Sequence, residues 1–415
     1  MQICIHRGAK EIGGSCVDLQ SSGKRLLLDM GLPLDAESDD KKYIPNIAGL
    51  DGGDDSILGI VISHPHMDHF GLLKHVNHAI PVIMGKAARN ILIEAAPFLP
   101  RHWAIPSSGK NLEDKTSITI GPFRIVPYLV DHSGYDSYSL LIEAEGQRIL
   151  YSGDIRMHGR KSILTEALIK HPPENIDVLL MEGSSLGRLD ADERYPSEAD
   201  IEHEFVRAFQ ASKGLCLVHT SAQNIDRVVS IFRACKKSGK KLVIDLYTAV
   251  VLEATGNMKI PQSDWDDVVL YIPLTQRVQI KNCQWFDKLK QHSKNRIFIE
   301  SFQNNYENYV LMFRPLHMRD IENGKVLTNA IYIYSQWEGY WERDSFASVR
   351  EWLTKHTIPK ISIHTSGHAS PRDLKRFAEA MNSKRLVPIH TFKPEQYKEL
   401  FNNVEVHNDG EYWEV

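Results

Sequence analysis

The chain has 415 residues, a net charge of −4, 42% hydrophobic and 25% charged residues. These are the proportions of a folded globular protein, not of a disordered or membrane-spanning one. The slight negative balance argues against non-specific nucleic-acid binding over the whole surface but leaves room for a local basic groove. Length predicts two domains. The five cysteines are scattered and form no CxxC pair, which predicts free thiols in a reducing cytoplasm and no zinc ribbon. Met1-Gln2-Ile3-Cys4-Ile5 lacks the basic start and long apolar core of a signal peptide, and no apolar run reaches membrane-spanning length. The expected location is therefore the cytoplasm, with no membrane partner.

In chain order, the first third reads as strands and short turns. Gly13 to Val17 and Arg25 to Asp29 are expected to be adjacent strands joined by Ser21-Ser22-Gly23-Lys24. Asp29 then ends a strand, where its expected role is to orient a loop or a ligand histidine. Ile57-Leu58-Gly59-Ile60-Val61-Ile62 is short, continuous and rich in β-branched residues, and so reads as a buried strand. It runs into Ser63-His64-Pro65-His66-Met67-Asp68-His69, the pattern HxHxDH, after which Gly71, Leu72 and Leu73 are expected to open a helix.

Three imidazoles and a carboxylate at the C-terminal end of a strand suit a pair of divalent metals at the usual active-site end of an α/β sheet. In a tight loop, His64 and His66 can face one ion while Asp68 and His69 face a second, with Pro65 stiffening the turn. Further strand ends carry His132-Ser133 and, after Arg148 to Tyr151, Ser152-Gly153-Asp154. They supply a third histidine and a carboxylate able to bridge. Leu179-Leu180-Met181-Glu182, Ile361-Ser362-Ile363-His364-Thr365-Ser366-Gly367-His368 and Leu386-Val387-Pro388-Ile389-His390 add more strand-end acids and histidines.

Between Gly183 and about Lys360 the pattern alternates: helix from Ile201 to Phe209, strand Leu215 to His219, helix Asn224 to Lys236, strand Lys241 to Asp245. Strands at Ile297 to Ile299 and Ala330 to Tyr334 follow. Such βα alternation predicts a parallel sheet in a second, inserted domain. Ser221 is the expected N-cap of a helix beginning at Ala222, whose positive end would let Ser221, Asn224 and Arg227 take a backbone phosphate, with ordinary capping as the alternative. Arg156, His158, Arg160 and Lys161 form a basic turn that either lines a path into the site or faces solvent. The aromatic run Tyr332, Tyr334, Trp337, Tyr340 and Trp341 reads better as a strand face and domain contact than as a base-stacking platform.

HxHxDH, His132-Ser133 and Ser152-Gly153-Asp154 together resemble the metallo-β-lactamase superfamily. Glu182, the Ser366-Gly367-His368-Ala369 motif and His390 match the three motifs of its β-CASP nucleases. Glu11-Ile12-Gly13-Gly14 and Asp154 to Gly159 add a likeness to the ribonuclease J type. The resemblance implies an αββα sandwich over residues 1–185 and 361–415, with a β-CASP α/β domain, built on a parallel sheet, at 186–360. It implies two divalent metals, Zn²⁺ ahead of Mn²⁺. His64, His66 and His132 would bind one; Asp68, His69 and His390 the other; Asp154 would bridge. Asp68, His368 and Glu182 would be catalytic, His368 as general acid oriented by Glu182. Ser133, Ser221, Asn224, Arg227, Ser366 and Gly367 would contact RNA.

The implied activity is a ribonuclease that hydrolyses phosphodiesters of single-stranded RNA with a hydroxide activated between the metals. It would leave 5′-phosphate and 3′-hydroxyl ends by endo- or 5′-exonucleolytic cutting, with a homodimer among the assemblies the sequence leaves open. The sequence stops at Val415, so it is expected to lack the C-terminal domain of that type. Thr391-Phe392-Lys393 also departs from the Gly-Glu usual there. Three other readings compete. A β-CASP DNA nuclease would ordinarily carry valine where this chain has His390. A small-molecule hydrolase would need neither Glu182 nor His368. A non-catalytic scaffold would not need the full ligand set.

Overall fold

A computed structural model describes residues 1–36, 41–99, 103, 105–107, 109–303 and 305–415. The chain divides into two compact units, Met1–Tyr195 with Gly367–Val415, and Pro196–Ser366. Both divisions fall somewhat later along the chain than the expected 185/186 and 360/361.

Among the described residues, the first unit contains a seven-stranded and a six-stranded sheet. Across the first sheet the order is Tyr412–Glu414, Gln2–Arg7, Cys16–Ser21, Lys24–Leu28, Ile57–Val61, Val82–Gly85 and Asn111–Leu112. Across the second it is Arg385–Ile389, Val178–Glu182, Gln147–Tyr151, Ser137–Ala144, Phe123–Val130 and Ile118–Ile120. Alternate side chains fall on opposite faces of a strand, and the cores follow that rule. Leu26, Leu28, Leu140, Ile142, Ile149 and Tyr151 pack between the two sheets. Leu27 faces outward with Ala88 and Leu92 of helix Lys86–Ala95. Leu141, Leu150 and Leu179 face outward toward Leu168 of helix Ser162–Lys170 and Leu374 and Phe377 of helix Pro371–Met381. This is the expected αββα arrangement, and each fully buried Leu or Ile in it is worth about 1.5–3 kcal/mol.

The motif helix begins earlier than expected. Met67–Phe70 is already helical within HxHxDH, and Leu73–His75 forms a separate 3₁₀ turn. The backbone carbonyl of His66 accepts from the N–H groups of His69 and Phe70, so Asp68 and His69 leave a tight turn in quick succession.

The second unit is built on a seven-stranded, wholly parallel sheet. The order is Arg296–Ile297, Val268–Tyr271, Lys241–Ile244, Tyr309–Phe313, Cys216–His219, Ile331–Tyr334 and Lys360–Ser362. The expected strand at Ile297 to Ile299 stops at Ile297, because this outermost strand gives way to helix Ile299–Gln303. The expected helix start at Ala222 is also corrected. Helix Ile225–Lys237 is capped by Asn224, whose side chain accepts from the Arg227 N–H. Tyr332 and Tyr334 are fully buried in this unit's core, as a strand face requires. The five cysteines are unpaired, and no helix among the described residues is long and apolar enough to cross a membrane.

Candidate metal centre and proton donor

The site forms at one end of the first unit, where strand termini from both sheets place their next residues. Its centre is the carboxylate of Asp154. The Oδ2 atom lies 3.3 Å from His69 Nε2, 3.5 Å from His64 Nε2, 3.7 Å from His368 Nδ1, and 3.8 Å from both His132 Nε2 and His390 Nε2. His132 Nε2 is 3.0 Å from His66 Nδ1, and His390 Nε2 is 3.8 Å from Asp68 Oδ2.

Two groups emerge, His64/His66/His132 and Asp68/His69/Asp154/His390, each with ligand atoms within 4.8 Å of one another. A third grouping of the same kind joins His132 and Asp154 to His368. Both Asp154 oxygens and the Nε2 atoms of His64, His69 and His390 are buried without a hydrogen-bond partner. Polar atoms left this way are costly, and their convergence on one point is what a cation would relieve. The donor set of imidazole and carboxylate suits Zn²⁺ or Mn²⁺. These residues fit a metal centre.

Protonation agrees with that fit. Burial, reinforced by neighbouring histidines, holds His64 and His132 well below the ordinary imidazole range. Burial pulls His66 down to about 4 and also lowers His390. Neutral rings are the form that coordinates metal. Burial would raise Asp154, but His390, His69 and His64 around it keep the carboxylate well below its usual range. His69 is the exception: burial opposes its charge, yet Asp154 and Asp29 hold it well above the normal value. The Nε2 proton is the one a cation would displace.

Backbone geometry holds the candidate ligands. His390 leaves its strand at φ +55°, an uncommon conformation for a non-glycine residue that functional sites often retain, and its N–H donates to the Gly8 carbonyl at 2.7 Å. Ser15 Oγ stands 2.9 Å from His390 Nδ1. At Gly31 an added Cβ would fall 1.7 Å from the Asp68 carbonyl oxygen, so only glycine lets that strand end approach the motif. Asp29 Oδ2 lies 2.7 Å from Nδ1 of His69, one of the candidate ligands.

Beside the centre, Glu182 is buried and accepts the Ile155 N–H at 3.0 Å on Oε1. Its Oε2 lies 3.0 Å from His368 Nδ1. Burial works against a charged His368, but Glu182 and Asp154 outweigh it and push the ring up to about 9. Ser133 and Gly367 come together here, since a Cβ on Gly367 would lie 2.5 Å from Ser133 Oγ.

Two basic side chains are not where the sequence suggests. Arg227 does not face a phosphate. It is fully buried in the second unit, paired with Glu198 at 3.0 Å and donating to Ser335 Oγ. The helix start at Asn224 turns it inward. Arg156 is likewise buried, with Nε 3.2 Å from Asp131 Oδ1, so it neither lines a path nor faces solvent. Of the remaining residues, Ser221 is exposed and accepts the Gln223 N–H, and Asn224 spends its side-chain oxygen on the helix cap. Ser366 closes the second unit.

Sequence reading gave no role to Ser15, Ser63 or Tyr151. Strand alternation marks Tyr151 as inward-facing, but nothing in the pattern distinguishes a polar tip from one more core aromatic.

Comparison with known proteins agrees with the fold. A family model described as "Beta-lactamase superfamily domain" matches residues 41–225. A protein of unknown function from Enterococcus faecalis V583 has a similar structure, with a TM-score of 0.79, 21% identity and 99% of both chains covered. The molecule thus has the α/β metallo-β-lactamase fold around a candidate metal centre.

Curated relatives of the chain include ribonuclease J proteins. That of Helicobacter pylori (strain ATCC 700392 / 26695) is 22% identical over 92% of this chain and 55% of its own length. That of Synechocystis sp. is 22% identical over 92% and 59%, and that of Mycobacterium tuberculosis H37Rv is 24% identical over 63% and 48%. The chain therefore resembles a β-CASP nuclease of the ribonuclease J type, and it spans little more than half the length of the relatives it matches most fully.

Proposed function

We propose that this chain is a metal-dependent ribonuclease acting on single-stranded RNA. The observation that carries the reading is the convergence of five histidine nitrogens on one oxygen of Asp154, at 3.3–3.8 Å, with Glu182 holding one of those histidines. A bare metal-binding site has no use for that last pair. A phosphodiesterase does, because the departing 3′ oxygen must be protonated.

In this reading His64, His66 and His132 would hold one divalent cation and Asp68, His69 and His390 a second, with the Asp154 carboxylate available to both. Such cations, when bound, polarise a phosphoryl oxygen and lower the pKa of water toward neutrality. Zn²⁺ is the first choice and Mn²⁺ the second. The chain's own part is the proton. Glu182 accepts the Nδ1 hydrogen of His368, fixing the ring's orientation and favouring its charged form. Nε2 then carries the second proton, and its transfer to the 3′ oxygen accompanies cleavage of the P–O3′ bond. The oxygen of water adds to phosphorus, and the proton it releases restores that of His368 through solvent, so the products carry 5′-phosphate and 3′-hydroxyl ends.

Ser133 and Gly367, side by side next to His132, are the proposed contacts for the RNA backbone at the site. Ser221, Asn224 and Ser366 are proposed contacts through backbone or hydroxyl groups. The unpaired cysteines fit a reducing compartment, which supports a cytoplasmic enzyme. The names of the sequence relatives support RNA over other phosphodiesters.

The test is to incubate purified protein with 5′-labelled single-stranded RNA and matched DNA, with Zn²⁺ or Mn²⁺ and with chelator. Metal-dependent cleavage of RNA alone is expected. Inertness on both polymers together with turnover of a lactone or thioester would overturn the reading.

A further inference from the structure

Behind the ligands lies a buried set of groups that no step of the proposed hydrolysis uses. Asp29 leaves strand Lys24–Leu28 at φ +60° and is fully buried. Its Oδ1 accepts from the Ser63 N–H at 2.7 Å. Its Oδ2 accepts from Ser63 Oγ at 2.8 Å, from Tyr151 Oη at 2.7 Å and from His69 Nδ1 at 2.7 Å. Ser63 Oγ also stands 3.0 Å from His64 Nδ1.

Proton inventory fixes the directions of these bonds. A serine hydroxyl has one hydrogen, and Asp29 takes it, so His64 must donate from Nδ1 to the serine lone pair. His69 Nδ1 faces a carboxylate that can only accept, so it donates as well. Both rings are thereby turned with Nε2 toward Asp154, where both Nε2 atoms lack a hydrogen-bond partner. The two rings belong to different ligand groups. Tyr151 reaches Asp29 from the other sheet: it ends strand Gln147–Tyr151 and points into the core between the sheets. Three residues later the same chain supplies Asp154.

We infer that Tyr151, Asp29 and Ser63 form a positioning relay coupling the two metal positions, with one carboxylate setting the tautomer of a ligand in each. Asp29 acts on His69 directly and on His64 through the Ser63 hydroxyl. Tyr151 locks the carboxylate from the opposite sheet. The relay rests on reading these histidines as metal ligands, and it adds that the two positions are not independent.

The probe is Zn²⁺ alone, titrated into the metal-free full chain against a chromophoric chelator, with histidine tautomers read from long-range ¹H–¹⁵N spectra. In the Zn²⁺-loaded wild type, His64 and His69 are expected as Nδ1–H tautomers. Tyr151→Phe removes one oxygen and should weaken both positions by about 10-fold, the lower end of what losing a group behind a ligand costs. Ser63→Ala should weaken the His64/His66/His132 position more than the other. Zn²⁺ affinities in Tyr151→Phe within about twofold of the wild type at both positions would overturn the relay, because orienting groups normally matter more than that. If Tyr151→Phe does not fold, Ser63→Ala decides, and equal loss at both positions, or none, contradicts the proposed routing. A wild type that takes up no Zn²⁺ would remove the ligand reading itself, a result distinct from a wild type that loads normally while the variants match it.

Discussion

Oε2 of Glu182 lies 3.0 Å from Nδ1 of His368, within a chain that brings residues 186 positions apart into one partly buried hydrogen bond. This bond separates two jobs. In the proposed reaction the candidate metal ligands would serve activation and the Glu182–His368 pair would keep a proton in reserve. Replacing His368 by alanine should leave metal content unchanged and reduce RNA cleavage by at least ~100-fold, the usual contribution of a positioned acid. Metal analysis of the purified variant beside its cleavage rate checks this. Loss of metal would instead make His368 a ligand, as the His132/Asp154/His368 grouping geometrically permits.

Glu182 gives that proton a pH signature. His368 is pushed up to about 9 against the effect of burial, so the acid form is present below that value and is lost as pH rises through it. Glu182→Gln removes the stabilising charge and should move the alkaline limb of kcat toward lower pH. Cations bound nearby also lower the limb, but the Glu182 contribution keeps its sign. A pH–rate profile in which the variant's alkaline limb coincides with the wild type's would contradict the pairing.

Arg227 separates structure from recognition. Its guanidinium and Glu198 are both buried, 3.0 Å apart. Arg227→Ala leaves a buried carboxylate without its partner and should cost about 3–5 kcal/mol of unfolding free energy, measured by urea denaturation. If Arg227 bound RNA phosphate, stability would hold and the slope of log affinity against log salt would instead fall by about 1.

Asp18 sets acid stability far from the chemistry. It is fully buried, accepts from Arg25 Nε at 3.0 Å, and lies 3.5 Å from His6 Nε2. Burial would raise it, but His6 and Arg25 hold it below the usual carboxylate range. A lowered folded value means the stabilisation is complete above the unfolded pKa and disappears as pH falls through the folded one. Asp18→Asn should cost about 1–3 kcal/mol at neutral pH and flatten the decline of stability below about pH 4. Parallel stability curves for the two proteins between neutral and acid pH would refute the assignment.

Gly31 tests the scaffold of the motif. A methyl group there would sit 1.7 Å from the Asp68 carbonyl oxygen, so Gly31→Ala must displace the HxHxDH turn. The expected result is reduced Zn²⁺ content and a lower unfolding temperature, seen by metal analysis and calorimetry.

What the sequence made legible follows from locality. HxHxDH is contiguous, and the other candidate ligands each close an apolar strand, so they could be named without coordinates. The unbroken apolar runs Leu26-Leu27-Leu28 and Leu140-Leu141-Ile142 carry no alternation, because both faces of each strand are buried. Direction was harder to read. Arg227 follows a cap residue by three, but only the helix start at Asn224 shows that its side chain turns inward to Glu198. Tyr151 and Asp29 meet across the space between two sheets, a contact without sequence periodicity. Polar groups that join distant strands through one hydrogen bond leave no local pattern to find.

The most direct test of the central claim is cleavage of a 5′-labelled single-stranded RNA by the metal-loaded chain, with end analysis of the products and the His368→Ala variant in parallel. The account predicts metal-dependent cutting that leaves 5′-phosphate and 3′-hydroxyl ends, abolished by chelator and lost in the variant while its metal is retained. Cleavage that persists in chelator, or products carrying 3′-phosphate or cyclic phosphate ends, would contradict it.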